Sequence, residues 1–346
     1  MPRVNVLEDG PVVDIVDVGH GSCVAIRCGS TVTLIDAGPG GAVLEYLRRE
    51  QITQISNVII SHADADHIGG LSAILAQKDL SVGRIIWNGD SAKQSQLWKN
   101  LIYQLADLQD AGRTVAYENA YDGLVVDLDP QAGVAVHVFA PGLVLRQLGA
   151  GSSTRDGRAI SSNSVSVVVQ LVVEDESVLL VMGDLDHLGF ELLVGSKYGD
   201  RLQSRHLVLP HHGGLMGSRS ETAAAVSQLV ARVNPEVVFV SNGRRKFNNP
   251  RREVVDAIRS TNAAVAVSCT QLAESCAKNP VERVERATPY SAGWLRGASC
   301  QGSARLTLGN GIGAPLNRRQ HLNFLAQSVP GAICGQGAKA KLSVLV

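Results

Sequence analysis

The chain has 346 residues, 45% of them hydrophobic, enough to bury a large core in one domain or in one domain with an appendage. Its 32 basic and 32 acidic residues cancel, which excludes a global basic field for gripping nucleic acid and leaves room only for a local patch. The opening MPRVNVLEDGPVVD holds no apolar stretch of signal-peptide length, and no window approaches the ~20 apolar residues of a membrane span. The expectation is a protein with no membrane insertion that stays in the cytoplasm. Six cysteines in a chain this long do not suggest a disulfide scaffold.

In chain order, Val12 to Val18, Cys23 to Cys28 and Thr31 to Ile35 are β-branched runs punctuated by Gly19, Gly21 and Gly29 and read as strands. A helix is expected from Ala42 to about Glu50. A short buried strand follows over Asn57 to Ile60, and then a helix from near His67 or Ile68 to about Gln77. Arg84 to Trp87 reads as a strand, Lys93 to Gln109 as a helix and Val134 to Phe139 as a strand. Gly149 to Ser162, rich in Gly, Ser and Arg, reads as a loop. Val165 to Val173 and Val178 to Met182 read as a hairpin turning at Glu174-Asp175-Glu176. His206 to Leu209 and Val237 to Val240 are further strands with helices between and after them. The pattern points to a layered α/β arrangement. From about Asn279 the element signals weaken, and residues 271–346 read as a small C-terminal extension packed on a main domain of residues 1–270.

The chemistry concentrates at strand ends. Ser61-His62-Ala63-Asp64-Ala65-Asp66-His67-Ile68-Gly69-Gly70 sets four metal-ligand side chains within six residues just past an apolar strand. A backbone that turns as it leaves a strand can aim such side chains into one cavity. Imidazole with carboxylate suits zinc, manganese or iron, and two ions need further ligands, including a shared carboxylate. Gly183-Asp184 and Pro210-His211-His212-Gly213-Gly214 supply them past two other hydrophobic strands. Taken alone, Asp184 would read as a helix cap or a buried hydrogen-bonding group. Three clusters, each at a strand end and each turning at glycine, favour a metal centre.

HADADHIGG resembles the HxHxDH signature of the metallo-β-lactamase superfamily, with Asp in place of the second His. The resemblance implies a four-layer αββα sandwich and two divalent ions, zinc or manganese first. It implies that His62 and Asp64 serve one ion and Asp66 and His67 the other. Asp184 then bridges, one of His211 and His212 is the last ligand, and Asp36 braces the metal loop. The motifs Asp17-Val18-Gly19-His20-Gly21-Ser22, Asn163-Ser164-Val165-Ser166, PHHGG and Ser241-Asn242-Gly243 resemble those of the ComEC-type competence proteins, in the same order, over about the first three quarters of the chain. The sequence departs from that branch at His20 (usually Gln), at Ser22 (usually Asp) and at Asn249-Pro250 (often His-Pro). Asn163 and Ser164 stand where most of the superfamily has a metal-binding His, as in the ComEC branch, which implies a first ion held weakly or only when substrate is present.

That family implies hydrolysis by a metal-bridged hydroxide oriented by Asp66 or Asp184, attacking phosphorus or a carbonyl carbon. His20, Asn242 and the non-ligand member of the His211/His212 pair are candidates to contact the leaving group or phosphate. The run RRKFNNPRR, with Arg244, Arg245, Lys246 and Asn249, reads either as a solvated loop or as a phosphate-binding patch with Phe247 stacking on a base. Cys23 and Cys28 fall on opposite faces of a strand and read as core fillers. Cys269, Cys276, Cys300 and Cys334 are candidates for a structural zinc site, without the usual close Cys-x-x-Cys pairs. The leading expectation is a two-metal phosphodiesterase or nuclease with a nucleic acid substrate. The alternatives are a hydrolase of a small ester, lactone or phosphocholine-like molecule, and a catalytically weak binding subunit.

Overall fold

A computed structural model describes residues 10–88, 95–113, 115–281, 289–308 and 318–334. The first half builds β1 (Val12–Ile15), β2 (Val24–Cys28), β3 (Thr31–Ile35), β4 (Gln54–Ile60), β5 (Ser81–Trp87) and β6 (Ala116–Asn119). With β14 (Ala304–Thr307) they form a seven-stranded sheet in the order β14-β1-β2-β3-β4-β5-β6. The second seven-stranded sheet runs β13-β12-β11-β10-β9-β8-β7. Its strands are β7 (Val125–Asp129), β8 (Val134–Ala140), β9 (Val168–Val173), β10 (Glu176–Val181), β11 (His206–Val208), β12 (Val237–Val240) and β13 (Ala266–Cys269).

Alternation along the strands splits their side chains between two cores. Ile15, Ile26, Ile59 and Ile86 of the first sheet face Val136, Leu171, Leu179 and Phe239 of the second, making the filling of a sandwich. The opposite face of the first sheet, including Leu34, Val58 and Ile85, is covered by three helices: α1 (Ala42–Arg49), α2 (Ala65–Ala76) and α3 (Gln96–Asp110). The outer face of the second sheet, including Leu180, Leu207 and Val238, is covered by α5 (His187–Val194), α6 (Arg219–Val233), α7 (Arg252–Thr261) and α8 (Arg318–Ser328). A short α4 (Leu143–Leu148) puts Leu145 into a small cluster with Ile160, Val165 and Leu188. The result is the four-layer αββα sandwich. Each fully buried Ile, Leu or Val in it contributes roughly 1.5–3 kcal/mol. Cys23 lies in the outer core and Cys28 between the sheets, on opposite faces as their spacing requires.

Chain after residue 270 is woven into this body. β14 pairs antiparallel with β1 at the sheet edge, setting Arg305 opposite Asp14. The Arg305 guanidinium donates to both oxygens of the fully buried Asp14 at 2.7 Å, and the Tyr46 hydroxyl donates to the same carboxylate at 2.7 Å. Farther on, Phe324, Leu325, Val329 and Ala332 pack on the second sheet's helical layer.

Several elements differ from the sequence expectation. α2 starts at Ala65, with Asp64 at its N-cap position, so Asp66 and His67 lie in its first turn. Lys93, expected to open α3, falls outside the described residues, and the helix is capped by Ser95. β6, β7, β13, β14 and α8 carry little sequence signal. β6 is an exposed edge strand of four residues, and β13 and β14 are equally short and held by partners distant in sequence.

Candidate metal centre

β3, β4 and β5 run parallel in one sheet, and β10, β11, β12 and β13 run parallel in the other. Their carboxyl ends deliver the loops that carry the polar clusters, the usual place for a site in sheets of this kind. Asp36 follows β3, Ser61 and His62 follow β4, Asp184 follows β10, His211 and His212 follow β11, and Ser241 follows β12. Two close approaches hold the loops together. Gly183 has φ +54°, and a Cβ on it would meet the Ser61 Cβ at 2.8 Å. A Cβ on Gly21 would meet the Asp66 carbonyl oxygen at 2.5 Å.

Asp66, His67, Asp184 and His212 offer one ligand atom each, and those atoms lie within 4.8 Å of one another. His67 Nε2 is 3.1 Å from Asp184 Oδ1, and His212 Nε2 is 3.4 Å from that oxygen and 3.3 Å from Asp66 Oδ2. His62 packs against His67 with ring centroids 4.2 Å apart and the planes tilted by 50°, and its Nε2 is 3.9 Å from Asp64 Oδ2.

The far nitrogen of each ring is fixed. His67 Nδ1 donates to Asp36 Oδ2 at 2.7 Å, and His212 Nδ1 donates to the Ser241 carbonyl at 2.7 Å. The Ser61 hydroxyl donates to Asp36 Oδ2 at 2.9 Å, which turns its oxygen lone pairs toward His62 Nδ1 at 3.0 Å. In all three rings the hydrogen is thereby placed on Nδ1 and the Nε2 lone pair faces the centre, as a metal ligand requires.

Those inward atoms have nothing else to bind. Nε2 of His62, His67 and His212 and Oδ1 of Asp184 are buried without a hydrogen-bond partner. Such orphaned groups each cost roughly 1–3 kcal/mol. A cation among them satisfies all four, so the residues fit a metal centre of imidazole and carboxylate donors.

The charges agree. Burial alone would raise the Asp184 carboxyl, but His212 and His67 beside it hold it well below the usual carboxylate range. Burial would likewise raise Asp66, but hydrogen bonds from His20 and His212 outweigh it and hold this carboxyl well below the usual range. Burial would lower His67 and His212, yet the carboxylates of Asp184 and Asp36 around the one, and of Asp184 and Asp66 around the other, raise both. Burial and then the neighbouring His67 push His62 down to about 4, so this ring is neutral near pH 7. A metal ion bound among these groups would compete with protons for the same nitrogen and oxygen atoms.

A cavity of about 300 Å³ opens beside the cluster, lined by His20, Asp64, Asp66, Asn163, Asp184, His211, His212, Phe247, Asn249 and Arg251 among others. His20 Nε2 is 3.3 Å from Asp66 Oδ2, and its ring packs between His212 and Phe247 at 4.7 and 4.9 Å. Of the histidine pair, His212 joins the cluster, whereas His211 turns its Nδ1 to Asn163 Nδ2 at 3.4 Å. Both histidines have positive φ, 53° and 55°, and this turn sends the two rings apart.

Other expected site residues sit differently. Asn242 is buried behind the cavity wall, donating to the Asn249 carbonyl and accepting from the Gln271 amide, so it shapes the loop instead of meeting a leaving group. Arg244 is turned away from the cavity, donating to the carbonyls of Leu272, Ala277 and Lys278. Arg245 pairs at 3.8 Å with Glu274, and Lys246 is exposed. Ser164 donates to Asp186 at 2.6 Å and so secures the N-cap of α5 instead of the metal loop. Cys269, Cys300 and Cys334 are buried, and Cys276 is half-buried against the same core. Burial pushes the Cys334 thiol up to about 12 and Cys269 well above the usual range. Among the described residues, only the Asp66, His67, Asp184 and His212 group brings three or more such donors together, so these thiols stand as core residues.

Sequence reasoning missed Ser61, Ser166 and Arg251. Ser166 lies 3.3 Å from His62 Nδ1 and accepts from the Asp184 amide at 3.1 Å. A serine flanking a strand, as Ser61 follows β4 and Ser166 precedes β9, is too common to single out. Arg251 was visible only as one of several basic residues in a run.

A sandwich of this kind with a His/Asp cluster at the strand ends defines a metallohydrolase fold. The chain belongs to the metallo-β-lactamase superfamily, whose sequence profile matches residues 16–239. It is 28% identical over 258 residues to the competence protein ComA of Neisseria gonorrhoeae, a match covering 73% of this chain and 30% of that protein. The chain therefore corresponds to under a third of that relative. Among solved structures it resembles the metallo-β-lactamase fold protein YhfI of Bacillus subtilis, at 11% identity and TM-score 0.47, covering 75% of this chain and 97% of that one. It also resembles Zn²⁺-bound PqqB of Methylobacterium extorquens, at 12% identity and TM-score 0.47, with the same coverage. Among the described residues no helix is long and apolar enough to cross a membrane.

Proposed function

We propose that the chain is a metal-dependent phosphodiester hydrolase acting on nucleic acid, with two divalent ions, zinc or manganese, held by His62, Asp64, Asp66, His67, Asp184 and His212. The observation that carries the metal assignment is the set of inward-facing, buried and unpartnered atoms of His62, His67, His212 and Asp184. When bound, such ions supply a nucleophile active near neutral pH and neutralise charge on the oxygens of a transferring phosphoryl group.

The chain's own residues do the rest. Asp36 and the Ser241 carbonyl hold the rings of His67 and His212 in the ligating tautomer. His20, beside Asp66 at the cavity wall, is placed to donate a hydrogen bond to a phosphate oxygen or to the leaving group. Arg251 and Asn163 line the same cavity and suit an anionic, oxygen-rich substrate. The likeness to a competence protein supports nucleic acid as the polymer. The lining is polar apart from a few residues such as Leu215 and Phe247, which disfavours an apolar ester or lactone.

A small phosphodiester is the second reading, because about 300 Å³ accommodates one nucleotide-sized group. The two are separated by stripping the metal, adding back Mn²⁺, Zn²⁺ or Mg²⁺, and offering single- and double-stranded DNA, RNA and a small phosphodiester. Polymer cleavage that disappears in Asp66→Ala and Asp184→Ala supports the nuclease. Turnover of the small diester alone favours the second reading.

A further inference from the structure

Phe247 is a large apolar side chain left 66% exposed at the rim of a polar cavity. It follows β12 on a loop that closes over His20, for a Cβ on Gly243 would collide with the His20 backbone. Arg245, Phe247 and Asn248 all hold left-handed φ values of 64°, 51° and 53°, conformations that side chains with a Cβ rarely adopt. The loop is nevertheless pinned. The Asn242 side chain grips the Asn249 carbonyl, and Arg244 anchors three carbonyls of the neighbouring segment. The turn thus presents the ring from a fixed base. The Phe247 ring lies 4.9 Å from that of His20, tilted by 50°, and His20 in turn touches both Asp66 and His212. The aromatic face is therefore two ring contacts from the metal cluster. Arg251, four residues on, lines the same cavity with its Nε buried and without a hydrogen-bond partner.

We infer that Phe247 is the stacking platform for one nucleobase of the substrate, flanking a phosphate seated between the metal centre and Arg251. This rests on the nucleic acid reading above and narrows it. A base can lie on Phe247 only after leaving its neighbours, because its π-face is otherwise covered by the stack. A cavity of about 300 Å³ holds one nucleotide and not a base pair with its neighbours. The substrate class is accordingly single-stranded nucleic acid or an unpaired end, with little preference among bases, since every base has a π-face.

The test has two independent readouts on the full chain. The first is the quenching of 2-aminopurine in a single-stranded oligodeoxynucleotide titrated with wild type, Phe247→Ala and Phe247→Trp. Stacking predicts quenching by wild type and Phe247→Trp and its loss in Phe247→Ala. Equal quenching by all three, or none by wild type, overturns the inference. The second is steady-state cleavage of that oligonucleotide and of one with abasic residues throughout. Phe247→Ala should raise KM for the base-bearing strand by about tenfold to a hundredfold with kcat little changed, and leave the abasic strand's KM as in wild type. An unchanged KM for the base-bearing strand, or a wild-type preference for duplex over single strand, also overturns it. If wild type cleaves no nucleic acid with any metal, the proposed function fails, and the quenching alone still decides whether Phe247 binds a base.

Discussion

The Asp36 carboxylate accepts from His67 Nδ1 at 2.7 Å and from the Ser61 amide at 2.7 Å, so one buried side chain sets both the His67 ring and the strand end that bears His62. Asp36 itself has φ 60° and is fully buried at the end of β3. Replacing Asp36 with Asn keeps its shape but puts an amide where one oxygen accepts a proton. The expected result is a folded protein whose metal affinity falls about 10- to 100-fold. Competition with a chromogenic chelator measures this. An affinity equal to wild type would show that Asp36 does not orient His67.

His206 provides a pH prediction away from the candidate metal cluster. It lies on β11 among Val237, Phe239 and Leu179 with both ring nitrogens unpartnered, and burial, then Arg205 and Arg318, push it down to about 4. The unfolded ring takes its proton near pH 6.5 and the folded ring only near 4. The neutral buried ring therefore disfavours nothing above pH 6.5. Between 6.5 and 4 the unfolded state binds the extra proton and stability falls, by about 3 kcal/mol if the whole shift is expressed. His206→Leu should lose less stability than wild type between pH 7.5 and pH 5, read from urea midpoints. Equal losses would remove His206 as a cause.

Ending the chain at residue 270 tests how far the later segment belongs to the fold. The truncation removes Arg305 from the buried Asp14 and takes β14 from the edge of β1. It also takes Ser291 and Gly293 from the Asp17 carboxylate, which anchors the turn leading to His20. Asp14 keeps Tyr46 and the 3.3 Å contact of Arg27, so its loss stays below the about 3–5 kcal/mol of a fully unpaired buried charge, and the lost β14 pairing and Asp17 contacts add to it. The truncated chain should lose cooperative thermal unfolding in calorimetry. A sharp transition near that of the full chain would show a self-sufficient body of residues 1–270.

Much of the site was legible because its chemistry is local. His62, Asp64, Asp66 and His67 sit within six residues of one strand end, and Asp184 and His212 each follow an apolar run. The choice between His211 and His212 was not, because it depends on consecutive left-handed backbone angles that only the packed turn fixes. Asn242 and Arg244 misled for a related reason. A motif places a residue near a site, but the partners that turn its side chain away, Gln271 for one and the carbonyls of Leu272 and Ala277 for the other, lie about 30 residues on. In the fold, long strands buried on both faces such as β4 and β10 announced themselves, while β13 and β14 owe their existence to pairing with β12 and β1 and show almost nothing locally.

The most direct measurement is calorimetric titration of Zn²⁺ or Mn²⁺ into the metal-stripped chain, with Asp184→Ala and His212→Ala alongside. The account predicts two ions per wild-type chain, binding that tightens as pH rises because the ion displaces protons from the cluster, and loss of at least one ion in each variant. A folded wild-type chain that takes up neither metal, or variants that bind both ions as wild type does, would contradict it.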